Sequence, residues 1–194
     1  MRVAIIKYNA GNIRSVAYAM QRFGVSYEET SDHHRIGTAD KVIFPGVGEA
    51  STTMNYLRQT GLDEVIRNLR QPVLGICLGM QLLCRRSAEN NTECLGVFDE
   101  VVTRFEPADG LKVPHMGWNT LSHASDWIDV DVNGKFVYYV HSYFVPVNKW
   151  TSLQTEYTRP FSAAMRKNNF HAVQFHPEKS GEAGAQILQQ FLSL

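Results

Sequence analysis

The sequence predicts an α/β fold in which a mixed, mostly parallel central sheet is followed by an antiparallel, β-rich C-terminal half. Two observations support this fold class. Short apolar runs alternate with segments of helical periodicity in the first half of the chain, as strands and helices do around a parallel sheet. Residues 96–174 instead contain repeated short β-type runs with short connections, which favour antiparallel pairing.

Each element of the first half rests on a local pattern. Short apolar or β-branched runs predict strands at residues 3–7, 25–29, 41–44 and 73–76, and helix-compatible segments predict helices at 13–23, 50–69 and 78–83. The turn formers Asn9, Gly11 and Asn12 separate the first strand from the first helix, and Gly24 is expected to close that helix. This order of elements is the one expected around a parallel sheet.

The second half is predicted to consist mainly of strands. The candidates are residues 97–105, 115–121, 136–145, 153–157, 161–166 and 170–174. Ser180 is the predicted N-cap of a last helix. The apolar face of that helix is formed by residues at three- and four-residue spacing, namely Ile187, Leu188, Phe191 and Leu192.

Composition limits the classes of protein to which the chain can belong. Its 194 residues suit a single domain over residues 1–194, and 19 Lys plus Arg against 19 Asp plus Glu give no electrostatic reason to expect nucleic acid or a membrane surface as partner. No apolar run approaches the roughly 20 residues of a spanning helix and no signal sequence is recognised, so a cytoplasmic location is expected. Cys77, Cys84 and Cys94 are spaced for neither a disulfide framework nor a zinc site.

Cys77 lies at the junction of a predicted strand and a predicted helix, between Gly75 and Gly79. A side chain on such a sharp turn is held out over the sheet edge, and the two glycines let neighbouring backbone approach closely. A thiol at a helix N-terminus also meets positive partial charge, which favours the thiolate. The stretch indicates a nucleophile elbow, although a buried cysteine packed as a small hydrophobic residue fits it equally well.

His176 and Glu178 are the candidates for activating that thiol. Only Pro177 separates them, so a strand continuing beyond residue 174 would point both side chains to one side. A histidine oriented by a carboxylate can take the proton of Cys77 and later give it to a leaving amine. Metal binding by His171, His176 and Glu178 is a weaker alternative, because the spacing implies no fourth ligand.

The segment Pro45-Gly46-Val47-Gly48 follows the third predicted strand. The carboxyl ends of parallel strands meet at one edge of a sheet, so this loop is expected to reach the same site as Cys77. Its glycines leave the peptide planes around Val47 free to rotate. A backbone N–H of Val47 or Gly48, with that of Leu78, is therefore the predicted oxyanion hole, although a plain tight turn would account for the same residues.

Together these motifs resemble those of the class I glutamine amidotransferases, and within them the glutaminase subunits of imidazole glycerol phosphate synthases. The nucleophile motif occupies residues 75–81, and Met80 in it is discriminating, because relatives serving anthranilate, aminodeoxychorismate or GMP synthesis usually carry histidine there. Residues 176–178 match the other triad members of the family, and residues 45–48 resemble its oxyanion loop. Residues 115–119 and 138–143 resemble stretches typical of this subunit, and Gly11, Asn12 and Ser15 match the N-terminal pattern of the family. Lys7 and Asn9 depart from it, since aspartate and glycine are more usual there.

The resemblance implies a three-layer α/β fold and hydrolysis of L-glutamine to glutamate and ammonia through a thioester on Cys77, with no cofactor and no metal. It implies a heterodimer with a (β/α)8-barrel cyclase, which uses the ammonia to make imidazole glycerol phosphate, for histidine synthesis, and an aminoimidazole carboxamide ribotide, for purine synthesis. Positions with implied roles are Gln81 and Glu89 in glutamine binding, the backbone near His141 and Ser142 in holding its α-carboxylate, and Tyr138 and Lys179 at the subunit interface.

Two other functions stay open at this stage. One is a glutaminase subunit of a chorismate-using synthase, which the size and fold of a co-purifying partner would distinguish. The other is a non-catalytic binding subunit, for which Cys77 would fail to react with a glutamine-analogue alkylator. Because the resembled branch couples ammonia release to the partner's substrate, we expect weak glutaminase activity in the isolated chain, with the Val47 loop as the switch.

Overall fold

The structure is a computed structural model and describes residues 1–8, 13–108 and 110–194. The helices in these ranges are α1 (Ile13–Arg22), α2 (His33–Gly37), α3 (Ala50–Thr60), α4 (Leu62–Asn68), α5 (Leu78–Leu82) and α6 (Gly181–Ser193). The strands are β1 (Arg2–Ile6), β2 (Ser26–Thr30), β3 (Lys41–Phe44), β4 (Val73–Ile76), β5 (Cys84–Ser87), β6 (Thr92–Glu93), β7 (Phe98–Arg104), β8 (His115–Thr120), β9 (Phe136–His141), β10 (Tyr143–Phe144), β11 (Thr151–Glu156), β12 (Pro160–Lys167) and β13 (Phe170–Val173). The turn predicted at Asn9, Gly11 and Asn12 lies outside the described residues.

A seven-stranded sheet has the order β11-β12-β13-β4-β3-β1-β2. The five strands from β13 to β2 are parallel to one another, whereas β12 pairs antiparallel with both β13 and β11. A second sheet has the order β10-β7-β5-β6, and β8 pairs with β9 in a separate antiparallel ribbon. The mixed, mostly parallel sheet and the β-rich second half are therefore confirmed.

Helices cover both faces of the seven-stranded sheet. Alternate residues of β1 point to opposite faces, so Val3 and Ile5 join one apolar core with α1 and α6, whereas Ala4 and Ile6 join a second core with α2 to α5. All four side chains are almost completely buried. The layers are thus helix, sheet and helix, as the family resemblance implied.

Two predicted segments are divided in the structure. The helix predicted over residues 50–69 is two helices, because Gly61 adopts a φ of 70° and ends the first. The strand predicted over residues 136–145 is interrupted at Ser142, and its two parts join different sheets.

Three short elements were not predicted, and one of them, β6, has only two residues. The strand β5 is buried at both ends but exposed at Arg85 and Arg86, and its pairing with β7 shifts register near Cys84, so it lacks the two-residue alternation that marks a strand. The helix α2 is only five residues long and has one buried residue, Ile36, which is too little for a periodic pattern. No helix in the described ranges is long and apolar enough to cross a membrane.

Candidate active site

Cys77 forms a sharp turn between β4 and α5. Its φ of 52° and ψ of −109° lie in a region that costs a residue with a Cβ about 1–3 kcal/mol. Its N–H donates to the carbonyl of Val173 over 2.8 Å, which ties the turn to the neighbouring strand β13. The side chain is 6% exposed and lines a cavity. The structure therefore places Cys77 on a strained elbow, as the sequence predicts.

Gly75 and Gly79 are required by close packing around this elbow. A Cβ on Gly79 would lie 2.0 Å from the carbonyl oxygen of Phe44, at the end of β3. A Cβ on Gly75 would lie 2.7 Å from the Cδ1 of Leu83. Both glycines thus let α5 lie directly against the ends of β3 and β4, as expected from the motif.

The cavity at the elbow measures about 260 Å³. It collects most of the residues for which the sequence predicts a catalytic or binding role, namely Val47, Gly48, Cys77, Leu78, Gln81, Glu89, His141, Ser142 and His176. Its remaining lining residues include Pro114, Met116, Val140 and Tyr143. The Pro45 loop and the elbow therefore reach one site, as predicted from the parallel strands.

His176 and Glu178 are in direct contact, with 2.9 Å between Nδ1 and Oε1, and both side chains are almost completely buried. The predicted route to this contact was wrong. The strand β13 ends at Val173, and Pro177–Lys179 form one turn of 3₁₀-helix, which brings the carboxylate back to the imidazole. Because Nδ1 is bonded to Glu178, Nε2 is the ring nitrogen left for proton transfer.

The charge state of His176 is set by opposing effects. Burial lowers its pKa, but the neighbouring Cys77 sulfur and the Glu178 carboxylate outweigh this effect and raise the pKa to about 10. A protonated imidazole beside a thiol favours the nucleophilic thiolate. The arrangement can therefore hold the cysteine ready for attack and keep a proton available for a leaving group.

The segment carrying His176 is anchored to β9. The backbone N–H of His176 donates to the carbonyl of Tyr138 over 2.9 Å. Ser180 precedes α6 as predicted, but its hydroxyl does not cap that helix. Instead it donates to the carbonyl of His176 and accepts from the N–H of Tyr138, over 2.6 and 2.9 Å. The position of this serine was predicted correctly and its hydrogen bonds were not.

On the side of the cavity formed by residues 45–48, a backbone hydrogen bond joins the loop to the start of α5. The N–H of Leu78, a predicted oxyanion donor, donates to the carbonyl of Gly46 over 3.3 Å. The hydroxyl of Tyr8 donates to the carbonyl of Pro45 over 2.6 Å and so anchors the base of the loop. In this conformation the N–H of Leu78 is not free for an oxyanion, so the predicted hole requires the loop to release it.

Glu89 lies on the wall of the cavity beside the start of α3. Its Oε2 accepts the N–H of Ala50 over 2.8 Å. Burial raises the pKa of this carboxyl, the Ala50 hydrogen bond lowers it and Glu49 raises it, and the net pKa is above its usual value. An ammonium group in the cavity would therefore find a partly buried carboxylate as partner.

Gln81 is buried and makes two hydrogen bonds from one nitrogen. Its Nε2 donates to the carbonyl of Tyr143 over 2.8 Å and to Oε1 of Gln174 over 2.9 Å. Gln174 is completely buried, and its Nε2 donates to the Sγ of Cys77 over 3.7 Å. Sequence reasoning missed Gln174, although a polar residue inside an apolar run, next to the His-Pro-Glu motif, was an available signal.

A buried histidine pair supports the opposite wall. Nδ1 of His141 contacts the carbonyl of Tyr143 over 2.8 Å, and its Nε2 contacts Nδ1 of His115 over 2.9 Å. His115 is stacked between the rings of Tyr139 and Tyr157. His141 was predicted at the site, but its partner His115 was not.

Metal binding has no support from this geometry. His171, considered as a ligand with His176 and Glu178, packs its ring against Trp127 and Phe191. Within the described part of the chain no three His, Cys, Asp or Glu side chains are grouped to hold a metal ion.

The class of protein to which the chain belongs follows from comparison with known proteins. Residues 5–194 match the family model "Glutamine amidotransferase class-I", so the chain belongs to this family. Among solved structures, a glutamine amidotransferase aligns with a TM-score of 0.76 at 19% identity, covering 98% of this chain and 97% of that one. A putative GMP synthase protein from Thermoplasma acidophilum aligns with a TM-score of 0.73 at 18% identity, covering 100% and 92%. These two structures support the fold alone.

Closer relatives narrow the assignment within the family. The chain is 61% identical to the imidazole glycerol phosphate synthase subunit HisH of Bacteroides fragilis, and 58% and 45% identical to the HisH subunits of Bacteroides thetaiotaomicron and Escherichia coli. Each alignment covers all of both chains. The similarity therefore lies with the HisH branch of the amidotransferases.

Proposed function

We propose that the chain is the glutaminase subunit of an imidazole glycerol phosphate synthase, hydrolysing L-glutamine and supplying ammonia for histidine biosynthesis. The observation that carries this proposal is the contact of His176 with Glu178 beside the strained Cys77, at one cavity. Similarity to HisH subunits favours this function over a chorismate-using synthase, and the complete set of catalytic side chains favours it over a non-catalytic subunit. The free thiols at all three cysteines suit a cytoplasmic enzyme.

The proposed reaction uses the cysteine as nucleophile. The Cys77 thiolate attacks the side-chain carboxamide carbon of glutamine and forms a carbon–sulfur bond. His176 gives its proton to the nitrogen, the carbon–nitrogen bond breaks, and ammonia leaves a thioester. His176 then takes a proton from water, which attacks the thioester and releases glutamate with the thiolate restored. Glu178 stabilises the imidazolium and holds the tautomer that leaves Nε2 for these transfers.

Glutamine fits the groups around the cavity. The volume of about 260 Å³ is slightly below the roughly 300–1,000 Å³ of drug-sized ligand sites, as expected for an amino acid. Glu89 is positioned to pair with the α-ammonium group, and the backbone near His141 and Ser142 with the α-carboxylate. Gln81 lines the same cavity and would bind the substrate from the elbow side.

Replacing Cys77 by alanine tests the chemistry. Cys77→Ala should reduce glutamine hydrolysis to background, because Cys77 is the one cysteine among the described residues that line the cavity. Cys94→Ala provides a matched control, since that half-buried thiol lies outside the cavity and its loss should leave the rate unchanged. Sustained glutamate production by Cys77→Ala would overturn the thioester mechanism.

An exposed apolar surface beside the cavity supports a partner subunit. On the ribbon, Met116, Trp118 and Phe136 are 63%, 56% and 57% exposed, and Tyr138 lies on the same face. Tyr138 contacts the Trp118 ring, and the Nζ of Lys179 lies 6.0 Å from the Tyr138 ring centroid. We call these five residues the ribbon face. We propose that the (β/α)8-barrel cyclase covers it and receives ammonia from the adjoining cavity.

The ribbon face can be tested by partner binding. Trp118→Ser should weaken the affinity for the cyclase at least tenfold, as expected for a central aromatic in an interface. Val147→Ser removes a 43% exposed apolar side chain outside the ribbon and should not change the affinity. Equal affinities for both variants would place the partner elsewhere.

The hydrogen bond from Leu78 to Gly46 supports control by the partner. We propose that the isolated chain hydrolyses glutamine slowly, and that the cyclase with its ligand bound shifts residues 46–48 so that the Leu78 N–H becomes available. One oxyanion donor is worth roughly 100–1,000-fold in rate. Adding cyclase and its ligand should give stimulation of this order, whereas a fully active isolated chain would exclude the switch.

A further inference from the structure

Gln174 is the buried side chain that contacts the reacting sulfur without lining the cavity. Its Nε2 lies 3.7 Å from the Sγ of Cys77, and its side chain is fully inaccessible to solvent. A thiol at this position can donate to the carbonyl of Val140, over 3.9 Å, or to the imidazole of His176. Once the sulfur is ionised it needs donors instead, and Gln174 offers one.

The orientation of the Gln174 amide follows from a single carbonyl. The carbonyl of Tyr143 can only accept, so the group of Gln81 that contacts it must be the amide nitrogen. The same nitrogen donates to Gln174, which must present its oxygen there. The nitrogen of Gln174 therefore faces Cys77, because a flipped amide would place two donor groups against each other.

The carbonyl of Tyr143 also accepts a hydrogen bond from His141. Nδ1 of His141 must be protonated to donate to Tyr143, so its Nε2 accepts from Nδ1 of His115. Burial lowers the pKa of His141 to about 3 and that of His115 to about 4, which keeps both rings neutral. Nε2 of His115 is then an acceptor, consistent with Asn119 Nδ2 at 3.3 Å. Donation thus runs from Asn119 through the two histidines to the carbonyl of Tyr143. Gln81 donates both to that carbonyl and to Gln174, whose own nitrogen donates to the sulfur of Cys77.

We propose that Gln174 is a further catalytic residue, a hydrogen-bond donor that stabilises the Cys77 thiolate and holds its side chain toward the cavity. The inference rests on the proposed function only in taking Cys77 as the nucleophile. The same donor favours the sulfur as leaving group when water cleaves the thioester, because it binds the returning thiolate more strongly than the neutral thioester.

The first test measures thiol reactivity and needs no glutamine turnover. In the full chain, Gln174→Met should slow alkylation of Cys77 by iodoacetamide about tenfold near neutral pH and move its pH profile upward by about one unit. Mass spectrometry of the Cys77 peptide gives the rate, with the Cys94 peptide as internal reference. Asn169→Leu is the matched control, since it removes an amide just before the start of β13, at the end of the strand remote from Cys77, that donates to the carbonyls of Leu69 and Gln71.

A second variant separates hydrogen bonding from packing. The protonated carboxyl of Gln174→Glu can accept from Gln81 and donate to sulfur, whereas the ionised form cannot donate. Alkylation of Cys77 should therefore be near the wild-type rate at low pH and fall progressively below it as pH rises. A deficit already present at low pH, where the carboxyl is protonated and has the shape of the amide, would contradict the proposed donor role. Gln174→Glu also decides the question if Gln174→Met does not fold.

Turnover in the complex with the cyclase provides the last readout. Gln174→Met should lower kcat about tenfold with KM unchanged, because Gln174 contacts the sulfur and not the substrate cavity. Unchanged Cys77 alkylation profiles in the folded variants, or an equal change in Asn169→Leu, would overturn the proposal. Failure of the wild-type complex to hydrolyse glutamine would instead overturn the proposed function, while the alkylation result would still decide the role of Gln174.

Discussion

The two sides of the cavity differ in how completely they are assembled. On the elbow side, Cys77 is fixed by its backbone turn, and His176 already contacts Glu178 over 2.9 Å. On the loop side, the N–H of Leu78 is held by the carbonyl of Gly46. Packing of α5 against two strands allows one arrangement of the elbow, whereas a peptide plane in a glycine-rich loop can exchange hydrogen-bond partners. The elbow side is therefore already arranged for catalysis, and we expect the loop side to control the rate.

The largest expected effect comes from breaking the elbow side. His176→Ala removes both proton donor and base and should lower stimulated glutaminase activity roughly 100–10,000-fold, measured as glutamate release by the complex. His123→Ala alters an exposed histidine and should leave the rate unchanged. A loss of less than tenfold for His176→Ala would mean that the elbow side is not the catalytic one.

Gly79 joins the two sides, so a side chain there should disturb both. Gly79→Ala places a Cβ 2.0 Å from the Phe44 carbonyl, and should lower the free energy of unfolding by about 1–3 kcal/mol in denaturant titrations. Gly37→Ala is the control, because its Cβ would meet nothing within 4 Å. Equal stabilities of the two variants would show that α5 can move away from β3.

Acid should weaken the buried pair of His115 and His141 that supports one wall of the cavity. The pKa of His115 is lowered by burial to about 4 and that of His141 to about 3, so between about pH 6.5 and these values the unfolded chain binds protons that the folded chain does not. Stability is therefore present above pH 6.5 and falls as pH drops toward 3. The raised pKa of His176, about 10, has the opposite sign, with stability lost as pH rises from 6.5 to 10.

Denaturant titrations across this range check both limbs. His115→Gln should make the acid limb shallower and leave the alkaline limb unchanged. An identical slope below pH 6.5 would mean that His115 does not stay neutral in the folded state.

The smallest expected effect comes from loosening the loop of residues 45–48. Tyr8→Phe removes the hydrogen bond to Pro45, which should cost about 1 kcal/mol of stability. The loosened loop should raise basal glutaminase activity a few-fold and reduce the fold stimulation by the cyclase. Tyr18→Phe, at a 63% exposed tyrosine, is the control. Unaltered basal activity in Tyr8→Phe would show that this anchor does not hold the loop closed.

Local patterns were enough to predict the strands that build the site. Residues 41–44 and 73–76 coincide with β3 and β4, because short buried runs in a parallel sheet carry their signal in adjacent residues. The meeting of His176 with Glu178 was predicted from a strand that in fact ends at Val173, so the contact was right and the geometry wrong.

Two other features of the site, the hydrogen bond of Leu78 and the contact of Gln174 with Cys77, could not be predicted from the sequence. Whether the Leu78 N–H faces solvent or Gly46 is decided by the rotation of a peptide plane, which costs little where glycine stands. The link from Gln174 to Cys77 joins residues 97 positions apart, and only the pairing of β13 with β4 brings them together. Patterns of local periodicity contain no information on either.

The exposed ring of Trp118 allows partner binding to be followed by intrinsic tryptophan fluorescence. Of its three tryptophans, Trp127 is 7% exposed and Trp150 is half-buried, whereas Trp118 is 56% exposed on the ribbon face. A partner protein that seats on this face moves one indole from water into an apolar contact and leaves the other two where they are. Assembly should therefore shift the intrinsic fluorescence to shorter wavelengths, which gives a label-free signal for following docking in real time.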